Sequence, residues 1–497
     1  MLIAMTSNEH FDVVIIGAGL SGIGTACQVA AKFPNRTIAV LERRERLGGT
    51  WDLFKYPGIR SDSDMFSFGY KFRPWNELNV LADGGSIRQY IADTAAEFGI
   101  DEKVHYGLKI VAADWSTSQS RWTVTALHEA TGETRTYTCN FLISCTGYYN
   151  YDAGYQPSFP GADRFTGQTI HPQHWPEDLD YAGKKVVVIG SGATAVTLVP
   201  SMADTAAHVT MLQRSPSYIF SVPAFDKISQ LLGRFLPERW VFASARKRNI
   251  AIQRALYLAC RRWPKQMRAF LLSQVRRQLG DKVDMRHFTP KYMPWDERLC
   301  AVPNGDLFKV LSSGKASIAT DHIDTFTENG ILLKSGEELE ADIIVTATGL
   351  DVQMVGGLQL SIDGEARELH DQMTYKATLV EGIPNLAWVF GYTNASWTLK
   401  SDIAGEYLCR LFKHMDDNGH TVAVPRDLEN CSMGVGMLDA LQSGYVQRAK
   451  NTLPRQGSKQ PWKVLMHYRR DSKMLLADPI EDGRLQFEVA PRVAAMA

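Results

Sequence analysis

Val13 to Ile16 is an unbroken apolar run. It is followed by Gly17-Ala18-Gly19-Leu20-Ser21-Gly22, a helical pattern through Ala31 and a second apolar run from Thr37 to Leu41. A short apolar run bounded by glycine predicts a strand buried on both faces, so the order strand, turn, helix, strand makes one βαβ unit. The pattern then returns. Lys185 to Ile189 leads into Gly190-Ser191-Gly192-Ala193-Thr194-Ala195, a helical pattern reaches about Ala203, and His208 to Leu212 completes a second unit. Each unit is followed by a smaller β-rich stretch with a hairpin signal, Gly132 in the first and Asn329-Gly330 in the second. Each stretch closes on a strand that meets a similar turn, Phe141 to Cys145 before Thr146-Gly147 and Ile343 to Thr346 before Ala347-Thr348-Gly349. The copies lie roughly 160 to 200 residues apart, which marks a duplicated domain plan.

Between the second unit and its β stretch, Asp226 to Pro290 is rich in Leu, Arg and aromatic residues and poor in glycine, which predicts several helices. This block holds fifteen basic residues against four acidic ones, a net charge of +11. Solvated helix faces docking on an acidic remainder account for it. A basic amphipathic set can also mean peripheral contact with a membrane surface. The expected fold is α/β, with two Rossmann-like dinucleotide-binding domains and an all-helical insertion in the second. The segments expected are 9–148 and 348–497 for the first domain, 160–217 and 291–347 for the second, and 218–290 for the insertion.

Composition narrows the class. A chain of 497 residues that is 45% hydrophobic and 22% charged is globular and of about three domains. Basic and acidic residues both number 54, so no global field draws the chain to nucleic acid. Seven cysteines form no C-x-x-C pair, which argues against a disulfide framework or a dithiol redox centre. A reducing cytoplasm is the expected compartment. Met1 to Met5 carries no basic leader, and no apolar run approaches the about 18 residues of a spanning helix, so neither export by a secretory signal nor a transmembrane segment is expected.

A glycine turn of this kind brings backbone amides and a helix N-terminus up to a pyrophosphate. In the first unit, Glu42 ends the second strand 20 residues after Gly22. An acid there accepts a ribose 2′-hydroxyl and repels a 2′-phosphate, which fits FAD or NAD. The same offset in the second unit falls on Ser215, beside Gln213 and Arg214. A guanidinium and a hydroxyl in that place fit the 2′-phosphate of NADPH. One chain holding both is built for hydride transfer to a flavin.

Phe165-Thr166-Gly167-Gln168-Thr169-Ile170-His171-Pro172-Gln173-His174-Trp175-Pro176 fits F-x-G-x-x-x-H-x-x-x-W-P just before the second unit. With it stand Gly48-Gly49-Thr50-Trp51, Tyr56-Pro57-Gly58-Ile59-Arg60-Ser61-Asp62, and the segment from Phe288 to Cys300. On these motifs the chain resembles the type I Baeyer–Villiger monooxygenases, class B flavoproteins, in the branch of the ethionamide-activating enzyme. The resemblance implies FAD, NADPH and O2, with one oxygen atom inserted next to a ketone carbonyl through a C4a-peroxyflavin. The product would be an ester or lactone, and sulfoxidation a side activity on thioethers. It also implies that Arg298 is the fixed cation at the flavin, that Asp62 is the carboxylate paired with it, and that His171 supports both from the linker between domains. Ser21, Glu42, Thr50, Trp51, Asp52, Asp62 and Ile110 match positions that touch FAD. Arg60, Ser61, Asp62, the loop Gly190-Ser191-Gly192-Ala193-Thr194, Gln213 and Arg214 match positions near NADP. One departure stands out: Glu297 occupies the place of a Lys that helps hold NADPH in many members.

The rival reading is an N- or S-oxygenating flavin-containing monooxygenase, against which Trp175-Pro176 and Arg298 argue. A flavin disulfide reductase lacks its C-x-x-C. A non-enzymatic flavin sensor using the basic block is disfavoured by the intact Arg298 and Asp62.

Overall fold

The computed structural model describes residues 9–297, 299–439 and 441–489. Its first sheet is built around β1 (Glu9–Ile16), which continues through α1 (Leu20–Lys32) into β2 (Ile38–Leu41). β3 (Val104–His105) extends that edge, and a meander of β4 (Leu108–Ser116), β5 (Arg121–His128) and β6 (Glu133–Ser144) returns to the other side of β1. β1 runs parallel to both β2 and β6, with Val14 opposite Ala39 and Leu142. Because successive strand residues face opposite ways, Val13 and Ile15 enter one core while Val14 and Ile16 enter another. That is why the run is apolar throughout instead of alternating. Far later in the chain, Gln359–Ile362 adds to β4 and Leu386–Trp388 adds to β6, so the C-terminal third completes the first sheet.

The second sheet has five parallel strands: Ala316–Thr320, β9 (His208–Gln213), β8 (Lys185–Ile189), Ile343–Thr346 and β7 (Gln168–Ile170), in that order. β7 is the edge strand contributed by the fingerprint, and its Ile170 is buried. Both hairpins expected at Gly132 and at Asn329-Gly330 are present as antiparallel pairs.

Helices Lys227–Leu232, Glu238–Arg262 and Pro264–Leu279 form the block after β9. The long middle helix is fixed to the first domain by the amides of Asn249 and Gln253, which donate to Asp64, and by a buried guanidinium. Arg246 donates to the carbonyls of Phe66 and Gly69 and, at 2.9 Å, to Asp402 Oδ2. Burial pushes the Asp402 carboxyl up to about 6 even with that partner. All seven cysteines are buried and free. Among the described residues no helix is long and apolar enough to cross a membrane.

Candidate active site

The two glycine turns open onto one cleft of about 930 Å³. Gly17, Gly19, Ser21, Glu42, Gly49, Thr50, Trp51, Arg60, Ser61, Asp62 and Ile110 line it from the first domain. Gly190, Ser191, Gly192, Ala193, Thr194, Arg214 and Ser215 line it from the second. Both turns begin their helices on a glycine, Gly19 and Gly192, with no side chain capping the first amides. Those amides and the positive end of each helix dipole suit a phosphate.

The first turn is set by close approach. A Cβ at Gly22 would stand 1.8 Å from the Gly17 carbonyl oxygen, so α1 reaches β1 only with glycine there. Gly22 thus supports the turn from behind and does not line the cleft. Glu42 is buried and accepts from the Ala18 amide at 2.6 Å and the Arg44 amide at 2.8 Å. Burial pushes its carboxyl above the usual range, opposed by those two amides.

Other residues expected at the site, two of them at the cofactors, also do not line the cleft. Asp52 is held by Arg44 at 2.7 Å and Arg46 at 3.1 Å, so its carboxylate is consumed by neighbouring guanidiniums. The Gln213 amide donates to the His287 carbonyl at 2.7 Å and to Thr320 Oγ1 at 2.9 Å, which ties β9 to the segment after the helical block. His171 is buried on the linker, where a Cβ at Gly154 would meet its ring at 2.0 Å and its Nδ1 accepts from the Gln173 amide. Burial pushes the imidazole down, so it favours the neutral form. Gln173 Nε2 donates to the Asn150 carbonyl at 2.7 Å, and His174 Nε2 contacts the Asp152 carbonyl at 3.1 Å. The fingerprint therefore clamps residues 150–154, and His174, which carries no signal in the sequence, shares that task.

Arg298 lies outside the described residues; Glu297 and Leu299, on either side of it, both line the cleft. Burial pushes the Glu297 carboxyl up while the Arg214 guanidinium pulls it down. Arg60 bridges the domains, with Nη1 donating to Asp306 Oδ2 at 2.7 Å. Its Nη2 is buried and, among the described residues, has no hydrogen-bond partner. A Cβ at Gly192 would meet nothing within 4 Å.

A wall the motifs do not reveal comes from the C-terminal third. Tyr392, Trp397, Tyr445 and Arg448 line the cleft. Trp397 stacks on Tyr148, with centroids 5.4 Å apart, and its Nε1 donates to Ser21 Oγ at 2.8 Å. Arg448 lies 3.5 Å over the Tyr155 ring. The Tyr392 hydroxyl donates to Asp471 Oδ2 at 2.8 Å, and buried Lys400 lies 3.6 Å from the same carboxylate. The aromatic density of Trp388, Phe390, Tyr392 and Trp397 is the one signal in the sequence that could have marked this wall.

A family model described as flavin-binding monooxygenase-like matches residues 11–355, which takes in both glycine turns and the fingerprint. The chain belongs to that family. It is 72% identical over 494 residues to MymA of Mycobacterium tuberculosis, covering 99% of this chain and 100% of that protein. It is 51% identical over 486 residues to the FAD-containing monooxygenase EthA of the same organism, covering 97% and 99%. Among solved structures it is similar to an oxidized steroid monooxygenase bound to NADP, with a TM-score of 0.76 and 21% identity over 97% of this chain and 100% of that one. At that identity the likeness establishes the shared two-domain fold.

Proposed function

We propose that this member of the family is an FAD-dependent enzyme that uses NADPH and O2 to place one oxygen atom next to a ketone carbonyl. The products are an ester or lactone and water, and thioethers are oxidised to sulfoxides as a side activity. The observation that carries the reading is that two glycine turns of opposite charge share one cleft, with Glu42 at the first and Arg214 at the second.

The residues present fit both dinucleotides. The uncapped start of α1 and the Glu42 carboxylate suit the pyrophosphate and ribose of FAD. The clear space beside Gly192, the second uncapped helix and the buried Nη2 of Arg60 suit the more highly charged NADPH. Bound there, flavin and nicotinamide supply hydride transfer and oxygen activation.

The chain supplies charge, position and dryness. Arg298 gives a cation that cannot lose its proton, and so favours anionic oxygen over neutral in the site. Asp62, which lines the cleft, is the carboxylate that the resemblance pairs with Arg298. His171 acts as a positioning residue by packing the linker against the second domain. Tyr148, Trp397 and Tyr445 place aromatic surface on the cleft wall, which disfavours water beside a bound coenzyme.

Product analysis under labelled O2, with a linear ketone and a thioether supplied together, tests the reading. Ester carrying one label is expected; sulfoxide without any ester would transfer the protein to the heteroatom-oxygenating class. Arg298→Ala is expected to abolish ester while NADPH still bleaches the flavin, and persistence of ester would remove Arg298 from its role.

A further inference from the structure

Ten of the thirteen large apolar side chains left exposed among the described residues lie between Phe225 and Phe270, inside the helical block. The densest part is its beginning. Ile228 is 57% exposed, Leu231 56%, Phe235 78% and Trp240 57%, within a stretch that has only two helical turns and a short connector. Lys227, Arg234 and Arg239 alternate with them and are likewise exposed. Apolar area of this concentration on a soluble surface marks a contact surface.

Charge says what it contacts. Docking of the block on acidic parts of the chain would pair the basic side chains at the contact. Among the described residues, ion pairs engage only Arg246, Arg248, Arg261 and Arg286. Of the two acids between residues 225 and 240, Asp226 is buried, where it caps its own helix and bonds Arg248. A second copy is a poor partner, because a two-fold interface would set this basic face against itself. Apolar and aromatic side chains interleaved with unpaired Lys and Arg match the interfacial zone of an anionic bilayer: the rings and aliphatic groups enter the acyl boundary while the cations meet lipid phosphates.

We propose that residues 225–240, continued along the outer face of helix Glu238–Arg262, dock the protein on an anionic lipid surface. The same segment is wired to the cleft. Ala224 and Asp226 exchange backbone hydrogen bonds with Val80 and Leu78, Val80 in turn accepts from Met65, and Ala82 accepts from Ser61. Ser61, Asp62 and Ser63 line the cleft, so the docking segment is hydrogen-bonded, through residues 78–82, to the cleft edge. The inference is independent of which oxygenation the cleft performs.

Flotation of the purified full-length protein tests it, using vesicles of phosphatidylcholine alone and vesicles in which about one-third is phosphatidylglycerol. Flotation with the anionic vesicles, weakened by salt, is expected. Phe235→Glu with Trp240→Glu, and separately Arg234→Gln with Arg239→Gln, are each expected to lower the partition coefficient about tenfold or more. All four positions are exposed, so the thermal midpoint should stay at the wild-type value, which separates lost docking from lost fold. Failure of the wild type to float, or flotation equal on neutral vesicles and insensitive to both pairs, overturns the proposal. A dimer in sedimentation that the Phe235 and Trp240 pair dissociates, in a protein that does not float, overturns it in favour of a second copy.

Discussion

The first and second glycine turns share a backbone plan and differ in what stands around it. Gly22 backs the first turn, where α1 touches β1; in the second, Ala195 takes the equivalent place and is fully buried in its helix. Glu42 is buried and already bonded to two amides of its own domain, whereas Arg214 faces Glu297 across the cleft. One site is rigidly furnished and the other is balanced between opposite charges. The difference sets an expectation: the shared turn receives a phosphate, and the residue at the end of the next strand selects the nucleotide.

The comparison breaks most severely at Gly22. Gly22→Val should yield no folded, yellow protein, since the side chain cannot coexist with the Gly17 carbonyl; recovery of flavin absorbance in purified protein would refute the close approach. Glu42→Ala comes next. It leaves the Ala18 and Arg44 amides buried without their acceptor, a loss of about 2–5 kcal/mol in combined stability and FAD affinity, read by thermal unfolding with and without added FAD. In the second unit, Arg214→Ala should raise the KM for NADPH about 10- to 100-fold and leave that for NADH nearly unchanged, which steady-state kinetics with both coenzymes will show.

Glu297 sharpens the contrast through pH. Burial holds its carboxyl above the ordinary range, so on acidification it becomes neutral early and ceases to oppose Arg214. Glu297→Gln should therefore bind NADPH several-fold more tightly than wild type at alkaline pH, with the two converging as pH falls. Parallel pH profiles would exclude this role. The smallest effect is expected at Ala195→Gly, about 1 kcal/mol of stability from helix propensity alone, measured by denaturant unfolding.

The parts of the site legible in the sequence are those fixed by local rules. Glycine turns, the acid or base after the next strand, and both hairpins depend on residues within one supersecondary unit, and their pattern survives without knowledge of the rest. The partners of Asp52 and Gln213 could not be read, because only the fold brings Arg44, Arg46, His287 and Thr320 to their polar atoms. The wall of Tyr392, Trp397, Tyr445 and Arg448 was hidden for a different reason. It belongs to a segment that returns to the first sheet after the whole second domain, and no spacing rule spans such a distance. In the helical block, composition gave the helices, but only their packing separated Arg246, buried against Asp402, from the exposed Arg234 and Arg239.

Arg60 offers two arms, one fastened to Asp306 across the domain boundary and one buried with no protein acceptor among the described residues. An anion reaching the second arm would stiffen the grip of the first, since a guanidinium held at both ends loses its freedom to swing. Coenzyme binding at the second arm is then expected to tighten the one contact by which Arg60 holds Asp306.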